Sequence, residues 1–314
     1  MQPELRKSTL MLKGQSHLLA ALAATILGGG ISTATAQTAD WAPYPVEVWE
    51  DSFNMDSPRR PLNYAPLERA ANDWTLCVAL PHLQDSYWLG VNFGIIDEAE
   101  RLGVHTTIKV AGGYGEVETQ KAQLHDCIER EGADALIVGA ISNTELNGTV
   151  AAAAEKGVPV IDLVNGMSAD QLAAKSMVSF DDMGREAGKF IVGQTGGKGA
   201  KVAWFPGPEG AAWVAAGDAG FKSAIEGTPV ELVSTRHGDT LPEVQKKLVE
   251  DVLDAPKTPD YIAGTAVTAQ VATDILAKRG LADDVVVVSY YLTPAIYQKI
   301  RRGQIAASPT DSPV

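Results

Sequence analysis

An α/β protein of two similar lobes, each a parallel sheet with helices on both faces, is what this sequence predicts. Three observations predict it. From residue 75 onward, apolar runs of four to seven residues alternate with amphipathic stretches of ten to eighteen, the rhythm of repeated strand–helix units. After residue 180 the same rhythm restarts over a stretch of similar length. At 314 residues with 45% apolar side chains, the chain is long enough to bury two cores.

The N-terminus stands apart from both lobes. Residues 1–36 read as an export signal peptide: Arg6, Lys7 and Lys13 form a basic start, residues 18–27 an apolar core, and Ala34 and Ala36 a small-residue cleavage site before Gln37. A membrane anchor is the other reading, but this core is far shorter than the roughly 20 residues a span needs. The mature protein is thus expected outside the inner membrane with no direct membrane insertion. Its charge, −13 before cleavage and more negative after, argues against nucleic acid and anionic lipid as partners.

Residues 37–73 carry Trp41, Tyr44, Trp49, Phe53, five prolines and Arg59–Arg60 without a sustained period. So many aromatics are unlike a disordered linker, so an extended arm lying over a lobe is predicted. The first lobe, 74–180, has strands at 76–80, 106–110, 135–138, 158–163 and 177–179, with helices at 87–102, 117–130, 145–156 and a short piece around Gln171. The second, 181–290, has helices at 183–193, 211–225, 242–253 and 269–278 and strands at 201–204, 230–234, 261–264 and 285–289. Residues 291–314 are assigned to a hinge crossover and the start of a return to the first lobe, with a helix at 294–301 and a strand at 305–307. No closing helix follows that strand, so the C-terminus reads as truncated from a longer chain, with an exposed sheet edge as the consequence.

Cys77 and Cys127 are the only cysteines. Where strand one lies between strands two and three, the crossover helix carrying Cys127 passes over the strand carrying Cys77. A disulfide is therefore permitted and export favours it; two buried thiols are the other reading.

The stretch DSYWLG, 85–90, supplies the candidate site. Asp85, Ser86, Tyr87 and Trp88 fall directly after a strand and at the start of a helix, where open α/β sheets bind ligands. Each has a plainer role available: Asp85 as a helix N-cap, Tyr87 and Trp88 as core anchors. No competing chemistry is visible. There is no GxGxxG between strand and helix and no GxxxxGK[ST], so no nucleotide or other cofactor is predicted. No HExxH, zinc spacing or GxSxG occurs, the five histidines read as surface or capping residues, and Asp181–Asp182 read as a helix start. No enzyme is predicted.

Several segments carry a resemblance. WTLCVALPHLQDSYWLGVNFGIIDEAERLGV, AGGY ending at Tyr114, QLHDCIEREGADALIVG, the VPVIDLVN run, WFPGP, GTAVTAQVA and VVVSYYLTPAIYQKIRRGQIAAS together span most of residues 74–308. They are similar to the TorT family of periplasmic trimethylamine N-oxide sensors, within the type I periplasmic binding proteins. The resemblance implies two Rossmann-like lobes that close on a ligand, and a membrane sensor histidine kinase of a two-component system as partner. It also implies a ligand box of Asp85, Tyr87, Trp88, Tyr114 and Tyr291, although Tyr114 also reads as a turn residue and Tyr291 as hinge packing. Where the family pattern has a tryptophan before xxMG, this chain has Phe180.

Trimethylamine N-oxide is a dipole with a methylated, partly positive nitrogen and a strong acceptor oxygen. Aromatic faces attract the methylated end by roughly 0.5 to 2 kcal/mol per ring, and phenol or indole hydrogens satisfy the oxygen. Phe180 removes one such donor, so about tenfold weaker binding, ~1.4 kcal/mol, or a shifted ligand preference is expected. Trp213, read as lying in the loop after Gly207, is a candidate to compensate, though nothing in the sequence fixes its direction. A sugar-binding or methylated-amine-binding protein of an ABC transporter is the alternative function.

Overall fold

Each lobe is built on strands whose two faces are both buried, so their sequences read as apolar runs rather than as alternation. The computed structural model describes residues 42–310 apart from 52 and 56; the expected signal peptide, 1–36, lies outside the described residues. The arm forms an antiparallel hairpin, Tyr44–Trp49 (β1) with Arg59–Tyr64 (β2), and most of its residues are exposed. Pro45 and Pro61 interrupt its period-2 pattern, which is why the sequence did not announce strands. Its base is tied to the first lobe where Arg101 donates to the Leu67 carbonyl at 2.8 Å. Its second strand reaches the other lobe through an Arg59–Asp182 ion pair at 2.9 Å.

The first lobe runs Thr75–Leu80 (β3), Ser86–Leu102 (α1), His105–Val110 (β4), Val117–Glu129 (α2), Ala135–Val138 (β5), Asn147–Glu155 (α3), Val160–Val164 (β6) and Ala174–Met177 (β7). All five strands are parallel in the order β4-β3-β5-β6-β7, which puts strand one between two and three as expected. Along β3, Val78 and Leu80 face one core while Cys77 and Ala79 face the other. Cys127 on α2 packs over that second face and forms a disulfide with Cys77. The short helix expected around Gln171 is a turn. The segment from Asn165 to Ala173 is instead tied down by a buried side chain: Asp162 accepts from Met167 N at 2.9 Å and from Lys175 Nζ at 2.9 Å.

The second lobe runs Phe180–Thr195 (α4), Ala200–Gly207 (β8), Ala212–Ile225 (α5), Val230–His237 (β9), Pro242–Leu253 (α6), Tyr261–Gly264 (β10), Ala266–Arg279 (α7), Val286–Ser289 (β11) and Pro294–Arg301 (α8). Its parallel sheet has the order β11-β10-β8-β9. Residues 294–307, expected to begin the return to the first lobe, stay with this one. Thr293 caps α8, Ile296 and Ile305 are buried in the second core, and Ala307 makes a parallel bridge to Val288.

Helices α4 and α5 lie unusually close because glycines face each other between them. A methyl added at Gly184 would overlap the Gly217 carbonyl, and one at Gly220 would overlap the Asp181 carbonyl. The sequence reading of Asp181 and Asp182 as a helix start holds: both lie in the first turn of α4, where Ser179 is the N-cap. Tight packing of these two helices brings their first residues, Phe180 and Trp213, to a ring separation of 5.2 Å.

Candidate ligand-binding site

The strands of both sheets point their C-terminal ends at one cleft, and the residues that follow them build its walls. After β3 come Asp85, Tyr87 and Trp88 on the first turn of α1; after β4 comes Tyr114; after β6, Asn165. From the second lobe come Phe180 and Trp213 on the first turns of α4 and α5, Thr240 before α6, and Tyr291 before α8. All nine line one small cavity. Its volume is about 20 Å³, above the roughly 10–15 Å³ a cavity needs to hold a water. The lobes are therefore drawn together around a compartment suited to a compact ligand.

The six predicted residues, Asp85, Tyr87, Trp88, Tyr114, Phe180 and Tyr291, are thus gathered in one place. None of the cavity's six aromatic side chains is more than 8% exposed. Ring contacts cross the cleft between Tyr87 and Tyr291, 5.5 Å, and between Tyr114 and Trp213, 5.8 Å. Burial pushes the phenols of Tyr114 and Tyr291 upward, so both remain protonated donors.

The glycines of the motifs have specific work here. Gly112 has φ 114° and turns the chain, while a methyl at Gly113 would approach Asp239 Oδ2 to 2.9 Å. Its absence lets that carboxylate accept from Tyr114 N at 2.7 Å across the cleft. Gly139 leaves room for Trp88, whose ring a methyl there would meet at 2.5 Å, and Gly207 does the same for Trp213 at 2.6 Å. Val164 adopts φ 66°, a strained conformation for a β-branched residue. That bend precedes Asn165, whose amide donates to Tyr114 Oη at 3.0 Å and to the Ala140 carbonyl at 2.8 Å.

Asp85 is the predicted N-cap and also forms part of the cavity wall. Its Oδ1 accepts from Trp88 N at 3.0 Å as the N-cap of α1, and it lines the cavity. Burial pushes its carboxyl above the usual range, against the opposing pull of His82 and of the Trp88 and Tyr87 N–H groups. His82, read from sequence as a surface or capping residue, is instead fully buried. Its Nδ1 accepts from Gln84 N at 3.3 Å, so the neutral ring carries its hydrogen on Nε2 and donates to Thr240 Oγ1 at 2.9 Å across the cleft. Gln245 secures the far side of this latch by donating to the Gly238 and Asp239 carbonyls. A third inter-lobe bond runs from Asn143 N to the Gly210 carbonyl at 2.9 Å.

Sequence reasoning missed Asn165, Thr240 and the His82 latch, since amides, hydroxyls and single histidines have no spacing signature. It raised Trp213 but placed it in a loop; the structure puts it in the first turn of α5, facing the cavity.

The latch gives a pH prediction. Burial lowers the His82 pKa below its usual 6.5, so the native state resists protonation. Stability is full above pH ~6.5 and falls as pH drops below it. Asp85, shifted upward, acts in the opposite sense: it adds stability as pH falls through its raised native value and so offsets part of this loss. Thermal unfolding midpoints should fall from pH 7 to pH 5 by about 2–4 °C per kcal/mol lost, and His82→Gln should flatten that fall. An unchanged slope in the variant would remove His82 as its source.

Comparison with known proteins decides the family. The periplasmic binding protein domain family matches residues 76–314. The chain belongs to the periplasmic binding proteins. Among members of this family, the periplasmic protein TorT of Escherichia coli K12 is 35% identical over 248 residues, covering 78% of this chain and 70% of TorT. A structure of an ABC transporter solute-binding protein from Bradyrhizobium sp. BTAi1, with bound bis-tris, is 45% identical with a TM-score of 0.72, covering 88% of this chain and 83% of that one. TorT in complex with the TorS sensor domain, in the presence of trimethylamine N-oxide, is 32% identical with a TM-score of 0.67, covering 77% and 81%. Type I lobe architecture in this periplasmic binding protein thus agrees with its solved relatives.

Proposed function

We propose that this protein is an exported periplasmic sensor that encloses trimethylamine N-oxide, or a similarly small methylated amine, and in its closed form regulates a membrane sensor histidine kinase. The observation that carries this reading is the cavity: six buried aromatic side chains surround a space for a compact ligand, with one carboxylate, one amide and one hydroxyl among them. Aromatic faces suit a methylated nitrogen. A sugar ring would ask for several carboxylate, amide and guanidinium side chains, and this cavity holds one carboxylate, one amide and no guanidinium. The likeness to TorT, solved with the TorS sensor domain, supports the kinase as the partner.

Titration calorimetry on the mature protein tests the ligand. Heat in the micromolar range with trimethylamine N-oxide, about 8 kcal/mol of binding, and none with a panel of pyranoses and furanoses is the expected result. Sugar binding without any response to millimolar N-oxide would overturn it. The 45% identity to an ABC transporter protein favours a second reading, delivery of an amine to a permease. Retention of the periplasmic domain of a candidate sensor kinase on the immobilised, ligand-loaded protein separates the two.

A further inference from the structure

Of the two indoles in the cavity, Trp213 has its hydrogen buried and unengaged. Trp213 is 4% exposed, and its Nε1–H is fully buried yet donates to nothing among the described residues. A buried donor without an acceptor carries a desolvation cost that a ligand acceptor would relieve. Trp213 is also hard to turn aside: its ring is held by Phe180 at 5.2 Å, stacked against Tyr290 at 6.2 Å, and admitted by the missing side chain of Gly207.

A second donor lies beside it. Tyr114 Oη already accepts from Asn165 Nδ2, which leaves its own hydrogen to be given elsewhere. The Tyr114 ring lies 5.8 Å from that of Trp213. Three helix N-termini, those of α1, α4 and α5, open at the same cavity and add positive partial charge there.

We infer that Trp213, with Tyr114 beside it, is the specificity-determining donor for an anionic or strongly accepting oxygen, so that the pocket selects amine oxides over methylated cations that lack the oxygen. This inference rests on the reading proposed above and sharpens its ligand class. It assigns to Trp213 on α5 the hydrogen bond that Phe180 on α4 has no atom to make. The methylated end of the ligand is left to the faces of Tyr87, Trp88 and Tyr291 and to Asp85.

Two ligands of nearly equal size test it: trimethylamine N-oxide and tetramethylammonium, in which a methyl replaces the oxygen. Calorimetry on the full mature protein should give at least about tenfold tighter binding of the N-oxide. Trp213→Phe should weaken the N-oxide about tenfold and tetramethylammonium much less, so the ratio collapses. Equal weakening of both ligands, or an unchanged ratio, would make Trp213 a wall only and overturn the inference while the sensor reading stands. If the wild-type protein binds tetramethylammonium but not the N-oxide, or neither, both fall. A measurement that needs no stable variant runs alongside: in protein labelled with ¹⁵N-tryptophan, one indole N–H resonance should move downfield with the N-oxide and not with tetramethylammonium. No such difference between the ligands overturns the inference as well.

Discussion

Replacing both cysteines, Cys77→Ala with Cys127→Ala, is expected to lower stability by about 4 kcal/mol, the chain-entropy value for a loop of this size. The bridge joins residues 50 apart and closes a loop containing α1, β4 and most of α2. Both cysteines are also essentially fully buried, so part of any loss in the variant comes from packing. Denaturant unfolding of the wild type with and without reductant separates the two contributions. The reduced wild type should fall most of the way to the variant. A reduced protein as stable as the oxidised one would show that the bridge contributes little.

The second large effect is expected at the helix pair behind the cage. Gly220→Ala places a methyl against the Asp181 carbonyl, which is backbone and cannot rotate away. The helices must separate, at about 3 kcal/mol, the upper part of the usual range for overpacking, or roughly 6–12 °C in unfolding midpoint. Because α4 and α5 carry Phe180 and Trp213 at their ends, the same change should weaken N-oxide binding by tenfold or more, on the order of 1.4 kcal/mol. Ala224→Gly, which leaves the Gly220 contact untouched, is the comparison. Stability and affinity both within about 0.5 kcal/mol of wild type for Gly220→Ala would refute the close-packing account.

The parts of this molecule legible in the sequence are those written in periodic patterns. The α6 and α8 spans and the β5 and β10 spans agree with the strand and helix reading to the residue, because buried apolar runs flanked by turn residues leave little choice. Tyr87 and Trp88 stood out by their place after a strand and at the start of a helix, whereas Tyr114 entered through the family resemblance, its own surroundings reading equally as a turn. What escaped depends on partners distant in the chain. His82 meets Thr240 at a separation of 158 residues and Tyr114 meets Asp239 at 125, and neither pair has a local signature. The turn at Gln171 was misread as a helix because the Asp162–Lys175 pair that organises its surroundings is equally invisible to periodicity. Trp213 was ambiguous for a narrower reason: the helix at 211–225 was legible almost to the residue, but nothing in the sequence fixed which way its first turn faces.

The three bonds that span the cleft, from His82, Tyr114 and Asn143, have a consequence for timing. Every cage ring is at most 8% exposed, and a molecule held among them is expected to leave by parting the lobes, which breaks the bonds to Thr240, Asp239 and Gly210. Escape is then clocked by how often the lobes part, and ligands of quite different affinity will share a similar residence time whenever reopening is the slow step.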